Sequence, residues 1–155
     1  MKTMILYATK YGAAAEIAKL IADKIEGAVT HNLKQSIPSL AEFDCVILGS
    51  SVYAGKIHKE AKAFLSKNAA ALTEKKFGLF LCGIDEEMAK SYFNANFPEA
   101  VLQKAKSTCF PGGMFDPQKA NGFERFIIKL ITKKSICINT IDENKIEQFA
   151  REMKS

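Results

Sequence analysis

The four cysteines, Cys45, Cys82, Cys109 and Cys137, include no C-x-x-C pair, which removes the usual zinc and thioredoxin-like spacings. No apolar stretch approaches the ~20 residues needed to cross a bilayer. The opening Met1-Lys2-Thr3-Met4-Ile5-Leu6 runs into turn residues too early for a signal peptide. The expected compartment is therefore the cytosol, and the expected state of the thiols is reduced and buried. There is no G-x-x-x-x-G-K-[ST] and no G-x-G-x-x-G, so the P-loop and the dinucleotide fingerprint are both missing. Internal repeats, low-complexity tracts and linkers are absent as well.

What remains is the composition of an ordinary folded chain. At 155 residues, with 48% hydrophobic and 25% charged, it suits one domain spanning 1–155 and disfavours disorder, collagen-like repeats and a disulfide scaffold. The net charge of +5 favours anionic partners, although no motif supports nucleic acid. Much of the surplus is local: Lys119, Arg125, Lys129, Lys133 and Lys134 stand against Glu124 alone.

Apolar runs of strand length recur at Thr3 to Ala8, Ala28 to Leu33, Cys45 to Leu48, Phe77 to Cys82 and Ser107 to Phe110. Most are continuous, as strands buried on both faces require. Between them lie helical spacings: Ile17, Ala18, Ile21 and Ile25 on one face, then Lys56 to Leu72, then a segment within Glu86 to Lys106 that Pro98 starts or breaks. Phe123 to Thr132 is a fourth. Asp142 to Met153 is the last, with Asp142 as N-cap and Ile146, Phe149, Ala150 and Met153 on one face. Alternating strands and helices predict a three-layer α/β fold with parallel strands and right-handed crossovers.

In such a sheet, ligands bind beyond the carboxyl ends of the strands, which directs attention to three loops. The first, Thr9-Lys10-Tyr11-Gly12-Ala13-Ala14, opens directly into a helix. Free N–H groups at that helix start, with the positive end of its dipole, make a seat for a monophosphate. Gly12 alternatively makes only a tight turn. The second, Ser50-Ser51-Val52-Tyr53-Ala54-Gly55, combines small residues that let a flat ligand approach with one ring for stacking. The third, Cys82-Gly83-Ile84, could offer backbone N–H groups to the polar edge of a heterocycle. Cys82 reads as a buried thiol unless a positive site activates it. His58 has no nucleophile or acidic partner fixed by local spacing and reads as a surface histidine.

These three loops, in this order, resemble the flavodoxin family over nearly the whole chain. The stretch Arg125-Phe126-Ile127-Ile128-Lys129-Leu130-Ile131 resembles more narrowly the flavodoxin-like menaquinone-dependent protoporphyrinogen oxidases. The resemblance implies a five-stranded parallel sheet in order 2-1-3-4-5 with FMN at its carboxyl edge. Thr9 to Ala14 would hold the phosphate, Ser50 to Gly55 one face of the isoalloxazine, and Cys82 to Ile84 its pyrimidine edge. The chain departs from the family pattern twice. Ala14 stands where a hydroxyl residue closes the phosphate loop, and Ile84 to Ala89 hold no aromatic ring. A lost hydrogen bond to a charged phosphate is worth about 1.5–3 kcal/mol, or ten- to a hundredfold in affinity. Lys10 would offset part of this, and Tyr92 would have to swing over the flavin to replace the ring.

Three functions follow from the resemblance. One is an FMN-binding electron carrier between a redox partner protein and another, with no side chain acting as acid or base. The second is an enzyme of heme biosynthesis that oxidises protoporphyrinogen and reduces a quinone; that group carries a long insertion in its fifth-strand region, and this chain reads as short there. The third is a flavodoxin fold without flavin that serves as a binding or regulatory domain. Single-electron flavodoxins tend to be acidic, whereas this chain has pI near 9.0, so a less negative hydroquinone couple and anionic docking partners are expected. The basic stripe from Phe123 to Lys134 either covers the sheet with snorkelling lysines, or rests on an anionic membrane or guides an acidic porphyrin.

Overall fold

A computed structural model describes residues 1–115 and 138–155. Five strands form one parallel sheet: β1 (Thr3–Ala8), β2 (Val29–Asn32), β3 (Cys45–Tyr53), β5 (Lys76–Cys82) and β6 (Ser107–Cys109), in the order β2-β1-β3-β5-β6. Between β3 and β5 in sequence lies the two-residue β4 (Lys56–Ile57), which folds back antiparallel on β3. Setting that hairpin aside, the order is the 2-1-3-4-5 expected of a flavodoxin-like three-layer fold.

The strands bury both faces because alternate residues point to opposite sides. Met4, Leu6, Val46, Leu48, Leu79 and Leu81 fill one side with α2 (Lys59–Thr73), α3 (Ala89–Asn96) and α4 (Glu99–Lys104). Ile5, Ile47 and Phe80 fill the other with α1 (Ala13–Ala22) and the last helix, α5 (Glu143–Lys154). Helix α5 starts as its sequence indicates: the Asp142 carboxylate accepts hydrogen bonds from the backbone N–H of Asn144 at 2.9 Å and Lys145 at 3.4 Å. Pro98 both ends α3 and caps α4, since it cannot continue a helix yet suits the first turn of a new one.

Three sequence-based boundaries move. Strand β3 runs on past Leu48 to Tyr53, because the small residues Gly49, Ser50 and Ser51 continue its pairing with β1 and β5. The helix expected from Lys56 begins at Lys59, since Lys56 and Ile57 return along β3 and are not helical. The fifth strand of the sheet ends at Cys109, one residue before the expected Phe110. Thirty-three residues separate Cys109 from Glu143, and within that span β7 (Met114–Phe115) pairs antiparallel with β8 (Ile138–Asn139). The sequence reading does not include this pair, because neither two-residue strand carries a periodic signal. The helix expected at Phe123 to Thr132, the basic stripe to Lys134 and Cys137 lie outside the described residues.

Gly49 shows how tightly neighbouring strands of the sheet pack. It pairs with Phe80 across β3 and β5, and a Cβ placed on it would stand 1.9 Å from Cζ of the fully buried Phe80 ring. We predict that Gly49→Ala lowers unfolding free energy by about 3 kcal/mol through overpacking, measured by urea denaturation; an unchanged midpoint would show that the ring can move aside.

Candidate functional site

The carboxyl ends of β1, β3 and β5 open on one edge of the sheet, and the loops leaving them line one cavity of about 200 Å³. From the first loop come Lys10, Tyr11 and Ala13, and from the second Ser51, Val52, Tyr53, Ala54 and Gly55. The third contributes Cys82, Gly83 and Ile84. Thr9, Gly12, Ala14 and Ser50 are not in its lining, and each has a structural reason.

The Thr9 hydroxyl accepts a hydrogen bond from the Gly12 N–H at 2.9 Å, which folds the loop back on itself. Gly12 sits at φ 98°, a left-handed conformation that costs other residues roughly 1–2 kcal/mol. It is the residue before α1, and no side chain caps that helix. The N–H groups of the first turn have no intrahelical acceptor, so the loop presents backbone donors at a positive helix end. Ala14 is fully buried on the inner face of α1 with Ile17, Ile21 and their neighbours, so its side chain faces the core. Ser50 is likewise internal: its hydroxyl donates to the Ser51 carbonyl at 2.9 Å and accepts from the His58 N–H at 3.1 Å.

The second loop is tighter than its glycine and serine content implies. Tyr53 pairs with Lys56, leaving Ala54 at φ 50° and Gly55 at φ 77° as a two-residue turn. Positive φ at both central positions matches the twist of a hairpin. Tyr53, 43% exposed, thus stands at the rim on a short rigid arm. The Lys10 ammonium lies over two rings, 4.9 Å from the centroid of Tyr53 and 5.2 Å from that of Tyr11, a cation–π arrangement that carries positive charge into the mouth.

On the third loop, Cys82 is 1% exposed. Its thiol donates to the Ser50 carbonyl at 3.7 Å and the Ser51 hydroxyl at 3.5 Å. Burial pushes its pKa up to about 12, so it is a protonated floor residue and not a nucleophile. Cys109 is pushed up to about 12 as well, by burial and then by Glu152; burial also raises Cys45. The Gly83 N–H is bound by the Gly112 carbonyl at 3.1 Å.

Sequence reasoning missed several lining residues. Gly113, just before β7, and Met114 and Phe115 of β7 reach the cavity from a segment with no sequence signal. Tyr92 comes from α3, tilted against Phe110 with centroids 6.2 Å apart. The third loop lacks a ring, yet Tyr92 and Phe115 give the cavity aromatic surface from elsewhere. Burial raises the Tyr92 hydroxyl pKa. His58 also lines the cavity and is not a surface group: its Nε2 is buried without a hydrogen-bond partner among the described residues. Burial lowers its pKa, keeping the imidazole neutral near pH 7. No helix among the described residues is long and apolar enough to cross a membrane, and none of their acidic, histidine or cysteine side chains cluster for a metal.

The model of the flavodoxin domain matches residues 4–136. This chain belongs to the flavodoxin domain family. Among curated proteins, it is 24% identical over 149 residues to protoporphyrinogen IX dehydrogenase [quinone] of Escherichia coli strain K12, covering 87% of this chain and 81% of the relative. Among solved structures, the fold is that of a Fusobacterium nucleatum flavodoxin bound to flavin mononucleotide, with 20% identity, coverage of 99% and 98%, and a TM-score of 0.59. It also overlies the rubredoxin:oxygen oxidoreductase of Desulfovibrio gigas at 12% identity and a TM-score of 0.57, where 99% of this chain spans 37% of the larger one. Besides the three loops, β7 and Tyr92 contribute to the wall.

The raised thiols carry a pH signature. A group whose folded pKa lies above its unfolded value stabilises the fold below the unfolded pKa, and that stability is lost as pH rises through the folded one. Cys82 and Cys109 therefore contribute fully below about pH 8.5 and progressively less up to about 12. We expect urea unfolding free energy to fall across this window less steeply in Cys82→Ala than in the unsubstituted chain; parallel curves would mean that Cys82 ionises in the fold without cost.

Proposed function

We propose that this chain is an FMN-binding redox protein that passes electrons, through a non-covalently held flavin, to a partner protein or a quinone. The observation that carries this is the convergence of two features on one cavity: an uncapped helix start reached by a Gly12 turn, and a small-residue turn bearing Tyr53. The residues fit the group. A monophosphate suits the N–H donors of the first turn of α1, and a planar ring system suits a cleft walled by Tyr11, Tyr53, Tyr92 and Phe115.

When bound, the flavin supplies one- or two-electron transfer, and the protein supplies position and electrostatics. Thr9 shapes the phosphate loop through its bond to Gly12. With Ala14 turned into the core, backbone donors and Lys10 take over what a side-chain hydroxyl would contribute. Ser51, Ala54 and Gly55 keep the wall low enough for a ring to lie against backbone. Lys10 holds positive charge at the mouth, which favours an anionic reduced ring over a neutral one. His58, half-buried and held neutral near pH 7 by burial, adds no charge to the cavity.

A second reading, a quinone-linked oxidoreductase acting on an acidic porphyrin, is favoured by two observations: the 24% identity to protoporphyrinogen IX dehydrogenase and the long segment between β6 and α5. Either role requires the flavin.

Titration of the apoprotein with FMN and with riboflavin, followed by fluorescence quenching and the visible spectrum, tests the proposal. Tight FMN binding with weaker riboflavin binding is expected, and Thr9→Ala should weaken FMN by about tenfold while leaving riboflavin unchanged. A chain that binds neither would be a flavodoxin fold kept for binding or regulation. In the holoprotein, potentiometry should place the hydroquinone couple above that of acidic flavodoxins. Lys10→Gln should lower it by about 50–70 mV, as for one charge at roughly 10 Å and an effective dielectric of about 20; an unchanged potential would remove Lys10 from the electrostatics of the ring.

A further inference from the structure

The β3–β4 turn is held by one side chain from a distant element. The Asn96 amide nitrogen donates to the Gly55 carbonyl at 2.9 Å, and its oxygen accepts from the Ile57 N–H at 3.0 Å. The same nitrogen donates to the Tyr92 carbonyl at 2.7 Å, one turn earlier on α3. A single half-buried amide thus ties the far side of the turn to the helix that carries Tyr92 into the cavity.

The turn needs such a tie. Ala54 is the one non-glycine residue with positive φ among those described, and an alanine side chain disfavours that conformation. A two-residue turn containing it relaxes readily unless the surrounding structure over-determines it. The hairpin register is Val52↔Ile57 and Tyr53↔Lys56, and the Asn96 amide binds the Gly55 carbonyl and the Ile57 N–H on the far side of the turn. Release of the tie would let the turn, and with it Tyr53, leave the position it holds at the cavity rim.

We propose that Asn96 is a positioning residue that sets the second loop, and through it Tyr53, for a planar ring ligand. The inference rests on the flavin-binding reading above and assigns to α3 a part of the ring site that neither the second loop nor the third supplies. Asn96 touches no ligand in this scheme; its effect reaches the ring through the Ala54–Gly55 turn.

The test is titration of the full chain and its Asn96→Ala and Asn96→Asp variants with FMN and riboflavin. Asn96→Ala should weaken both flavins by the same factor, about tenfold, because the phosphate loop is untouched, and it should diminish the visible-band shift that stacking on Tyr53 produces. In Asn96→Asp the carboxylate still accepts from Ile57 but faces two carbonyl oxygens without a proton. Its riboflavin affinity relative to the unsubstituted chain should fall at pH 7 and recover as the carboxyl is protonated at low pH. Equal flavin affinity and spectra in all three proteins would overturn the proposal, as would a loss confined to FMN. If Asn96→Ala has lost its helical circular dichroism, the Asn96→Asp series decides: a pH-independent ratio overturns the proposal. An unsubstituted chain that binds neither flavin overturns the underlying reading and this inference with it, whereas binding that is indifferent to Asn96 overturns this inference alone.

Discussion

Parallel pairing of β3 between β1 and β5 is the constraint on which the rest of the molecule depends. Parallel neighbours cannot be joined by tight turns, so each strand must hand the chain to a helix that returns it to the starting edge. The carboxyl ends of β1, β3 and β5 are thereby forced onto the same side, and every loop that leaves them meets its neighbours there. Glycine and serine in the last part of β3 extend the parallel pairing to Ser51, and Val52 and Tyr53 then pair with β4, which carries the strand out beyond the apolar centre. The cavity is the space between these overhanging ends.

Division of labour between side chains and backbone follows from that placement. Thr9, Ser50 and Asn96 spend their polar atoms on the loops themselves, while Lys10, Tyr11, Tyr53 and Tyr92 face the cavity. The first group are the residues whose chemistry makes them conspicuous in a sequence, and they act on conformation. Cys82 is a similar case, a reactive residue type rendered inert by its depth and by two sulfur hydrogen bonds.

Much of this was legible before any coordinates. Continuous apolar runs gave four of the strands within a residue or two, Asp142 marked the start of α5, and Gly12 located the turn into α1. The departures share a cause: they depend on contacts between parts of the chain far apart in sequence. Nothing local distinguishes the helical-looking Lys56 and Ile57 from α2; their return along β3 is stabilised from Asn96, some forty residues on. Ser50 looked like a ligand contact because its type and loop suggested one, yet its neighbour in space is the His58 backbone. Tyr92 and Phe115 stand in the wall because α3 and β7 pack beside the third loop, a fact that no spacing within that loop could encode. The strand pair β7 and β8 is too short to have a period at all.

The register of that pair sets Phe115 opposite Ile138. The two strands bring Phe115 and Ile138 side by side at the cavity wall, so the chain leaves and re-enters the described structure at one place. Lengthening a connection closed in this way costs only the slowly growing entropy of a longer loop, about 0.6 kcal/mol for each doubling, and leaves the ladder of the main sheet untouched. The β7–β8 pair is thus a place beside the cavity where a connection can change in length without renegotiating the core.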